Sequence, residues 1–256
     1  TLLAESSERV RVYGGARFDA DREESDSWQP FAAAQFFVPR LELRREGERF
    51  TLSCQVSLPD DATDPVRHGE LRALMSAEDE PDSDAPFDAA VITRADTPDR
   101  GAWNENVSAC LSDFQEGRAE KIVLARQSDF FTDETIRPLS LLRAISLGTP
   151  NSFHYCFQPG DGVALVGASP ERLYRRDDAL IETEALAGTR PRGATPEEDA
   201  ALGEELLASD KEQREHAYVS RTIRDVLGAL CSNIEEGSSH LLRLGHYQHL
   251  LTPLRG

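Results

Sequence analysis

The chain has 256 residues, of which 46 are acidic and 28 are basic, so its formal net charge is −18. A field this negative repels phosphate backbones and anionic lipids, which makes nucleic acids and membrane surfaces poor partners. With 39% hydrophobic residues and no apolar run of about 18 residues, we expect a globular protein that does not span a membrane.

The numbers and positions of the cysteines and lysines narrow the class of protein further. The four cysteines lie far apart without a CxxC pair, which argues against a zinc site and favours reduced thiols in the cytoplasm. We interpret the acidic excess as a solvated surface of the kind that suits high salt. Only two of the 28 basic residues are lysines, Lys121 and Lys211, so the position of each lysine in the fold is informative.

The first hundred residues are predicted to be rich in β structure. Three segments with many β-branched and aromatic residues read as strands: 11–18, 36–45 and 50–58. Glu46 and Gly47 supply a hairpin turn between the last two strands. Prolines and clustered acids at 59–100 indicate an acidic segment with a short helix at 69–76.

In the rest of the chain, predicted helices are interspersed with strands and hairpins but do not alternate strictly with them. Helical periodicity and end signals predict helices from Trp103 to about Gly117 and at 138–148, 196–208 and 210–231. Strands are predicted at 121–131, 152–158, 162–169, 179–183 and 241–250. We therefore expect an α+β fold with largely antiparallel sheets, divided into a β-rich part at 1–100 and a catalytic part at 101–256.

Two single residues stand out as acid–base candidates. Lys121 opens the apolar run KIVLAR, and burial there would favour its neutral form, although a lysine at a strand end can also extend to solvent. Glu171 follows Ser169 and Pro170 at a strand exit, where a dry site would make it a general acid. The alternative for Glu171 is an exposed turn residue paired with a neighbouring arginine.

The predicted helix at 210–231 carries a third candidate site. Helical spacing places six residues on one face: Glu212, Glu215, His216, Val219, Ile223 and Val226. Carboxylates on a burying face need a partner, and oxygen ligands of this kind suit Mg²⁺. We interpret His216 as a packed imidazole, since no second zinc ligand lies at the right spacing. Ordinary pairing with Lys211 and Arg214 is the alternative for the acids.

Five motifs in a fixed order connect these candidates. They are KIVLAR at 121–126, GASPERL at 167–173, TEALAGTRPRG at 183–193, KExxEH at 211–216 and HLLTP at 249–253. In this order they resemble the chorismate-utilising enzymes, and among them the isochorismate synthases. The resemblance runs from FVPRLEL at 37–43 to the end of the chain.

The resemblance implies a Mg²⁺-dependent isomerisation in which water adds at ring carbon 2 of chorismate and the hydroxyl at carbon 4 leaves. It makes Lys121 the general base and Glu171 the general acid. It makes Glu215 a Mg²⁺ ligand with Glu212 beside it. Gly188, Thr189 and His249 correspond to substrate-binding positions.

The resemblance also separates activities within the family. Lys121 and Ala187 disfavour the aminating members, so we expect no glutamine amidotransferase subunit and a monomeric protein. Salicylate synthase, which goes on to eliminate pyruvate, is the nearest alternative. Isochorismate can serve menaquinone or siderophore synthesis, and the motif TEALAGTRPRG favours menaquinone.

The family pattern continues beyond Gly256 with a second metal-binding glutamate and a substrate-binding arginine. We therefore expect the chain to be truncated at its C-terminus, and also at its N-terminus, and to be inactive alone. Two alternatives from other classes are a non-catalytic acidic protein that binds cations and a two-carboxylate hydrolase that uses Glu171 and Glu215.

Overall fold

The computed structural model describes residues 10–21, 26–55, 69, 89–160 and 162–256. The chain divides into two compact units, residues 1–84 with 158–163 and residues 85–157 with 164–256. The division at residue 100 stays a prediction, and the helix predicted at 69–76 lies outside the described residues apart from its first position. Among the described residues, no helix is both long and apolar enough to cross a membrane.

The first unit contains two antiparallel strand pairs. Strand β1 (Tyr13–Ala16) pairs with β2 (Ala34–Phe37), and β3 (Leu41–Glu46) pairs with β4 (Arg49–Cys54). Gly47, with φ of 61°, turns the second hairpin as predicted. The single strand predicted at 36–45 is wrong, because Pro39 has no amide N–H to continue a ladder and separates β2 from β3.

The helices of the second unit begin and end close to their predicted positions. They are α1 (Arg100–Gln115), α2 (Pro138–Gly148), α3 (Pro196–Ala208) and α4 (Asp210–Gly228). The side chains of Asp99, Thr195 and Ser209 each accept an amide N–H from the first turn that follows, which satisfies donors that a helix leaves unpaired. Gly117 follows α1 with φ of 70°, the left-handed conformation that ends many helices.

Antiparallel strands form the sheet on which the candidate site is built. The remaining strands are β5 (Val91–Thr97), β6 (Gln127–Thr132), β7 (Phe153–Gly160), β8 (Val163–Ser169), β9 (Arg175–Asp177), β10 (Leu180–Pro191), β11 (Glu235–Glu236), β12 (His240–Arg243) and β13 (Tyr247–Arg255). Strands β10 and β13 are the centre of a five-stranded sheet, with β9 beside β10 and β11 and β12 beside β13. Strand β5 pairs with β6, and β7 with β8. The predicted α+β class with antiparallel sheets is confirmed.

Helix α4 packs against β10 and β13 through a small apolar core. Ala185, Leu227 and Leu254 are buried there, with partly buried neighbours that include Ile223. The inward position predicted for Val226 is wrong, since Val226 is 59% exposed and Leu227 is 5% exposed. At about 100° per residue, Leu227 returns to the direction of His216, whereas Val226 points about 80° away.

Candidate active site

Lys121 and Glu215 lie far apart in the sequence and meet in the structure. The Nζ atom of Lys121 is 3.3 Å from Oε1 of Glu215, and their side chains are 23% and 38% exposed. Glu215 projects from α4, and Lys121 lies in the segment that leads into β6. The two carry opposite charges in a partly desolvated place, where their interaction is stronger than on an open surface.

The strand predicted at 121–131 is wrong in its first half, because residues 121–126 have no regular secondary structure and β6 begins at Gln127. Antiparallel register pairs Gln127 with Thr97, so Arg126 would face Pro98. Pro98 has no amide N–H and α1 begins two residues later, so β5 offers no further edge for a ladder. A strand-like composition alone did not reveal this lack of a partner.

Glu212 lies one turn before Glu215 on α4, and its carboxylate is buried. Its side chain is 8% exposed, and its Oε1 accepts hydrogen bonds from Nη1 of Arg190 at 3.0 Å and Nζ of Lys211 at 3.4 Å. Burial alone would raise the pKa of Glu212, but the hydrogen bond from Arg190 and the charge of Lys211 hold that pKa below its ordinary value. Glu212 is therefore an ionised carboxylate inside the protein.

Gly188, Thr189 and His249 come together at an irregularity of the sheet. The register between β10 and β13 shifts between Ala187 and Thr189, which makes Gly188, with φ of 75°, the extra residue of a β-bulge. The Nδ1 atom of His249 is 3.1 Å from Oγ1 of Thr189 and 3.2 Å from the carbonyl oxygen of Gly188. A Cβ atom at Gly188 would lie 3.3 Å from Oε2 of Glu212. The three predicted substrate-binding residues thus meet beside Glu212.

His216 joins α4 to the sheet. It is 4% exposed, and its Nε2 lies 2.7 Å from Oγ1 of Thr252 on β13. Burial lowers the pKa of His216, the carbonyl of Ala187 opposes that shift, and the nearby charge of Lys121 adds to it. The imidazole is therefore neutral at physiological pH, and its burial agrees with the packed residue expected from the sequence.

Glu171 lies in the loop after β8 and is exposed. Its amide N–H donates to Oγ of Ser169 at 3.2 Å, and the next amide, that of Arg172, donates to Oε1 of Glu184 at 3.3 Å. The guanidinium of Arg172 lies over the ring of Phe153, 5.5 Å from its centroid. Glu171 is thus exposed, as the alternative expected, but among the described residues its carboxylate has no ion-pair partner, so the expected pairing with a neighbouring arginine is wrong. The structure does not bring Glu171 into contact with Lys121 or Glu215.

The sequence did not predict two hydrogen bonds of the candidate site. Arg190 binds Glu212, and Glu184 anchors the loop of Glu171. Both residues lie within the quoted motif TEALAGTRPRG, but their partners are distant in the sequence and only the fold brings them together.

The carboxylates of Glu212 and Glu215, here called the acidic pair, are the candidate metal ligands. Among the described residues, no group of three or more His, Cys, Asp or Glu is arranged around a possible metal position. Mg²⁺ commonly takes one or two protein carboxylates and fills its other positions with water and substrate. The donor chemistry of the acidic pair fits this pattern, and Glu215 is the more accessible member, at 38% against 8% exposure.

Comparison with known proteins identifies relatives that match almost the whole length of this chain. A family model for chorismate binding enzymes matches residues 3–256. The isochorismate synthase MenF of Bacillus subtilis is 33% identical over 248 residues, which cover 96% of this chain and 52% of the relative. The salicylate biosynthesis isochorismate synthase of Pseudomonas aeruginosa is 34% identical over 250 residues, with the same shares covered.

A solved structure gives the same result for the fold. The structure of MenF, the menaquinone-specific isochorismate synthase from Escherichia coli, matches this chain with a TM-score of 0.77 at 29% identity. The match covers 88% of this chain and 52% of that chain. The chain thus spans about half the length of the relatives that it matches.

Proposed function

This chain belongs to the family of chorismate-binding enzymes, and from that premise we propose that its protein converts chorismate to isochorismate. The contact between Lys121 and Glu215, at 3.3 Å, carries the proposal. It brings the predicted base beside the predicted metal ligand, although the two belong to different motifs. Relatives named isochorismate synthases support the same reaction.

In this reaction water adds to ring carbon 2 of chorismate while the hydroxyl at carbon 4 departs. We assign Lys121, in its deprotonated form, as the base that takes a proton from the attacking water. Glu171 is the acid that gives a proton to the departing hydroxyl, so the protons balance. An arginine at position 121 would keep its proton at every physiological pH, whereas a lysine can give its proton up and act as a base.

Mg²⁺ is the proposed cofactor, with Glu215 as a ligand and Glu212 behind it. When bound, the ion would neutralise the ring carboxylate of chorismate and hold it in place. Gly188, Thr189 and His249 form the surface that faces the ring. The free thiols of the four cysteines fit a reducing compartment, so we place the protein in the cytoplasm.

The test uses the full-length protein with chorismate and Mg²⁺, with products separated by chromatography. Wild type should form isochorismate, and a chelator should abolish that activity. Lys121→Ala and Glu171→Gln should each lose about a hundredfold or more in rate, the usual worth of a general base or acid. Glu105→Gln, which changes an exposed carboxylate on α1, is the matched control for Glu171→Gln.

Lys121→Arg separates the two roles that Lys121 has. This variant keeps a positive charge beside Glu215 but removes the base, so it should be as inactive as Lys121→Ala. A Lys121→Arg protein with wild-type rate would contradict the assignment of a base. No turnover of chorismate by the full-length wild type would refute the proposal as a whole.

The product and the pathway are the finer parts of the proposal. Formation of salicylate and pyruvate instead of isochorismate would identify the protein as a salicylate synthase. Equal behaviour of wild type, Lys121→Ala and Glu171→Gln would favour a non-catalytic cation-binding protein. We propose menaquinone synthesis as the pathway, on the strength of the motif TEALAGTRPRG and of relatives named MenF.

A further inference from the structure

Arg190 joins the two helices beside the bulge to the sheet. Its Nε lies 3.0 Å from Oε1 of Glu205 on α3, and its Nη1 lies 3.0 Å from Oε1 of Glu212 on α4. The same Nη1 donates to the carbonyl oxygen of Thr189 at 2.9 Å. One guanidinium therefore bridges two carboxylates and fixes its own strand at the position that follows the bulge.

The two carboxylates that Arg190 bridges differ in their surroundings. The Glu205 side chain is 61% exposed, so water screens it, whereas the Glu212 side chain is 8% exposed. The Arg190 side chain is 22% exposed. Arg190 is thus the main neutralising partner of a buried charge, while the second cation, Lys211, is 78% exposed and contacts Glu212 at a longer 3.4 Å.

We propose that Arg190 is a positioning residue that occupies the Glu212 end of the acidic pair as a permanent cation. Glu215 is paired with Lys121 at 3.3 Å, but a lysine can give up its proton and move on its flexible stem, so Glu215 is the carboxylate that binds a divalent ion directly. This inference rests on the proposed function only in that the acidic pair takes a divalent ion. Glu212 and Glu215 stand three residues apart on α4, which places their Cβ atoms about 5–6 Å apart. A divalent ion at Glu215 is therefore within strong electrostatic reach of Arg190.

The chemistry of arginine suits this role. A guanidinium is always protonated, so it competes with a metal ion for Glu212 at any physiological pH. Its planar fork holds two carboxylates at once, which a lysine ammonium on its flexible stem does less well. Arg190 thus limits the acidic pair to one divalent ion and sets a weak affinity for it.

The test measures Mn²⁺ binding to the full chain by electron paramagnetic resonance, with Mn²⁺ as the probe for Mg²⁺. Removing a unit charge a few ångströms from the ion should tighten its binding on the order of tenfold or more. Arg190→Gln should therefore bind Mn²⁺ about tenfold more tightly than wild type. The double variant Arg190→Gln, Glu212→Gln should return to wild-type affinity, because Glu212 is the carboxylate that the first change releases.

Glu205→Gln is the control, because it removes the exposed partner of Arg190 and leaves Glu212 paired, so Mn²⁺ binding should not change. If circular dichroism shows Arg190→Gln to be unfolded, Arg190→Lys replaces it, and tighter binding of Mn²⁺, by less than the factor expected for Arg190→Gln, is then expected because a lysine leaves Glu212 partly free. Unchanged affinity in the folded Arg190 variant, together with loss of binding in Glu215→Gln, would overturn the role of Arg190 alone. Binding that does not depend on Glu215 would overturn the proposed metal site itself.

Discussion

The bulge at Gly188 gives the sharpest test of the site geometry, through the substitution Gly188→Ala. Gly188 has φ of 75°, and a Cβ atom there would lie 3.3 Å from Oε2 of Glu212 and 3.4 Å from Cδ1 of Leu206. An L-residue in the left-handed conformation costs about 1–2 kcal/mol. The added methyl group also presses on a carboxylate whose other oxygen, Oε1, is held by Arg190.

The expected result has a stability part and an activity part. The free energy of unfolding should fall by about 1–2 kcal/mol, which in a protein of this size lowers the melting temperature by about 2–4 °C per kcal/mol. Formation of isochorismate should fall further than stability alone explains, because Glu212 must move. Thermal unfolding followed by circular dichroism and a chorismate turnover assay measure the two parts.

Gly117→Ala is the matched control for Gly188→Ala. Gly117 has φ of 70°, and a Cβ atom there would meet nothing within 4 Å. It therefore imposes the same backbone strain without crowding, and it should lose stability but keep activity. If Gly188→Ala kept the activity of Gly117→Ala at an equal loss of stability, the inferred contact between the bulge and Glu212 would be refuted.

Two further predictions concern stability and are read by chemical or thermal unfolding. The hydrogen bond from Arg192 holds the pKa of Asp199 at about 2, so this carboxylate stabilises the fold above its ordinary pKa range and stops doing so as the pH falls from about 4 to about 2. The melting temperature of Asp199→Asn should therefore lie below that of wild type at pH 7 and should equal it near pH 2. The exposed control Asp225→Asn should have the melting temperature of wild type at both pH values. A difference between Asp199→Asn and wild type that persists at pH 2 would contradict this linkage. Thr252→Val removes the partner of His216 Nε2 and should cost about 1–3 kcal/mol, whereas Thr252→Ser keeps the hydroxyl and should cost less; equal losses would show that the hydrogen bond is unimportant.

The sequence was most informative where structure depends on neighbouring residues. The starts of α3 and α4 were predicted closely from local helical patterns, and in the structure Thr195 and Ser209, residues that favour helix N-termini, cap these two helices. The hairpin around Gly47 followed from turn chemistry in the same way. In each case the determining contacts span only a few positions, so a local pattern contains them.

Prediction failed where an element depends on a distant partner. The run KIVLAR has a strand-like composition, yet β5, which would be its neighbour, ends at Thr97, directly before Pro98. Strand β10 extends over Leu180–Pro191, far beyond the predicted 179–183, because pairing with β13 holds glycine, arginine and proline residues that rarely favour strands. Tertiary pairing decided both outcomes.

The candidate site also combines features that depend on neighbouring residues with contacts that depend on distant ones. Helical spacing placed Glu212 and Glu215 on one face of α4 without any knowledge of the fold. It did not indicate that Arg190 would reach Glu212, or that the exposed Glu171 would stand apart from Lys121. Sequence therefore supplied the candidate groups, and the fold decided which of them act on one another.

The charge distribution explains how an acidic protein can present a site for an anion. The two lysines of this chain contact the two members of the acidic pair, Lys121 at 3.3 Å from Glu215 and Lys211 at 3.4 Å from Glu212. With Arg190, which contacts Glu205 as well as Glu212, three cations face three carboxylates, so the site is locally balanced in a chain whose formal net charge is −18. Close charges in a partly desolvated cleft outweigh distant surface charges that salt screens. A dianion such as chorismate would therefore meet much less repulsion at the acidic pair than the net charge of the protein suggests, and a bound divalent cation would make the local field positive.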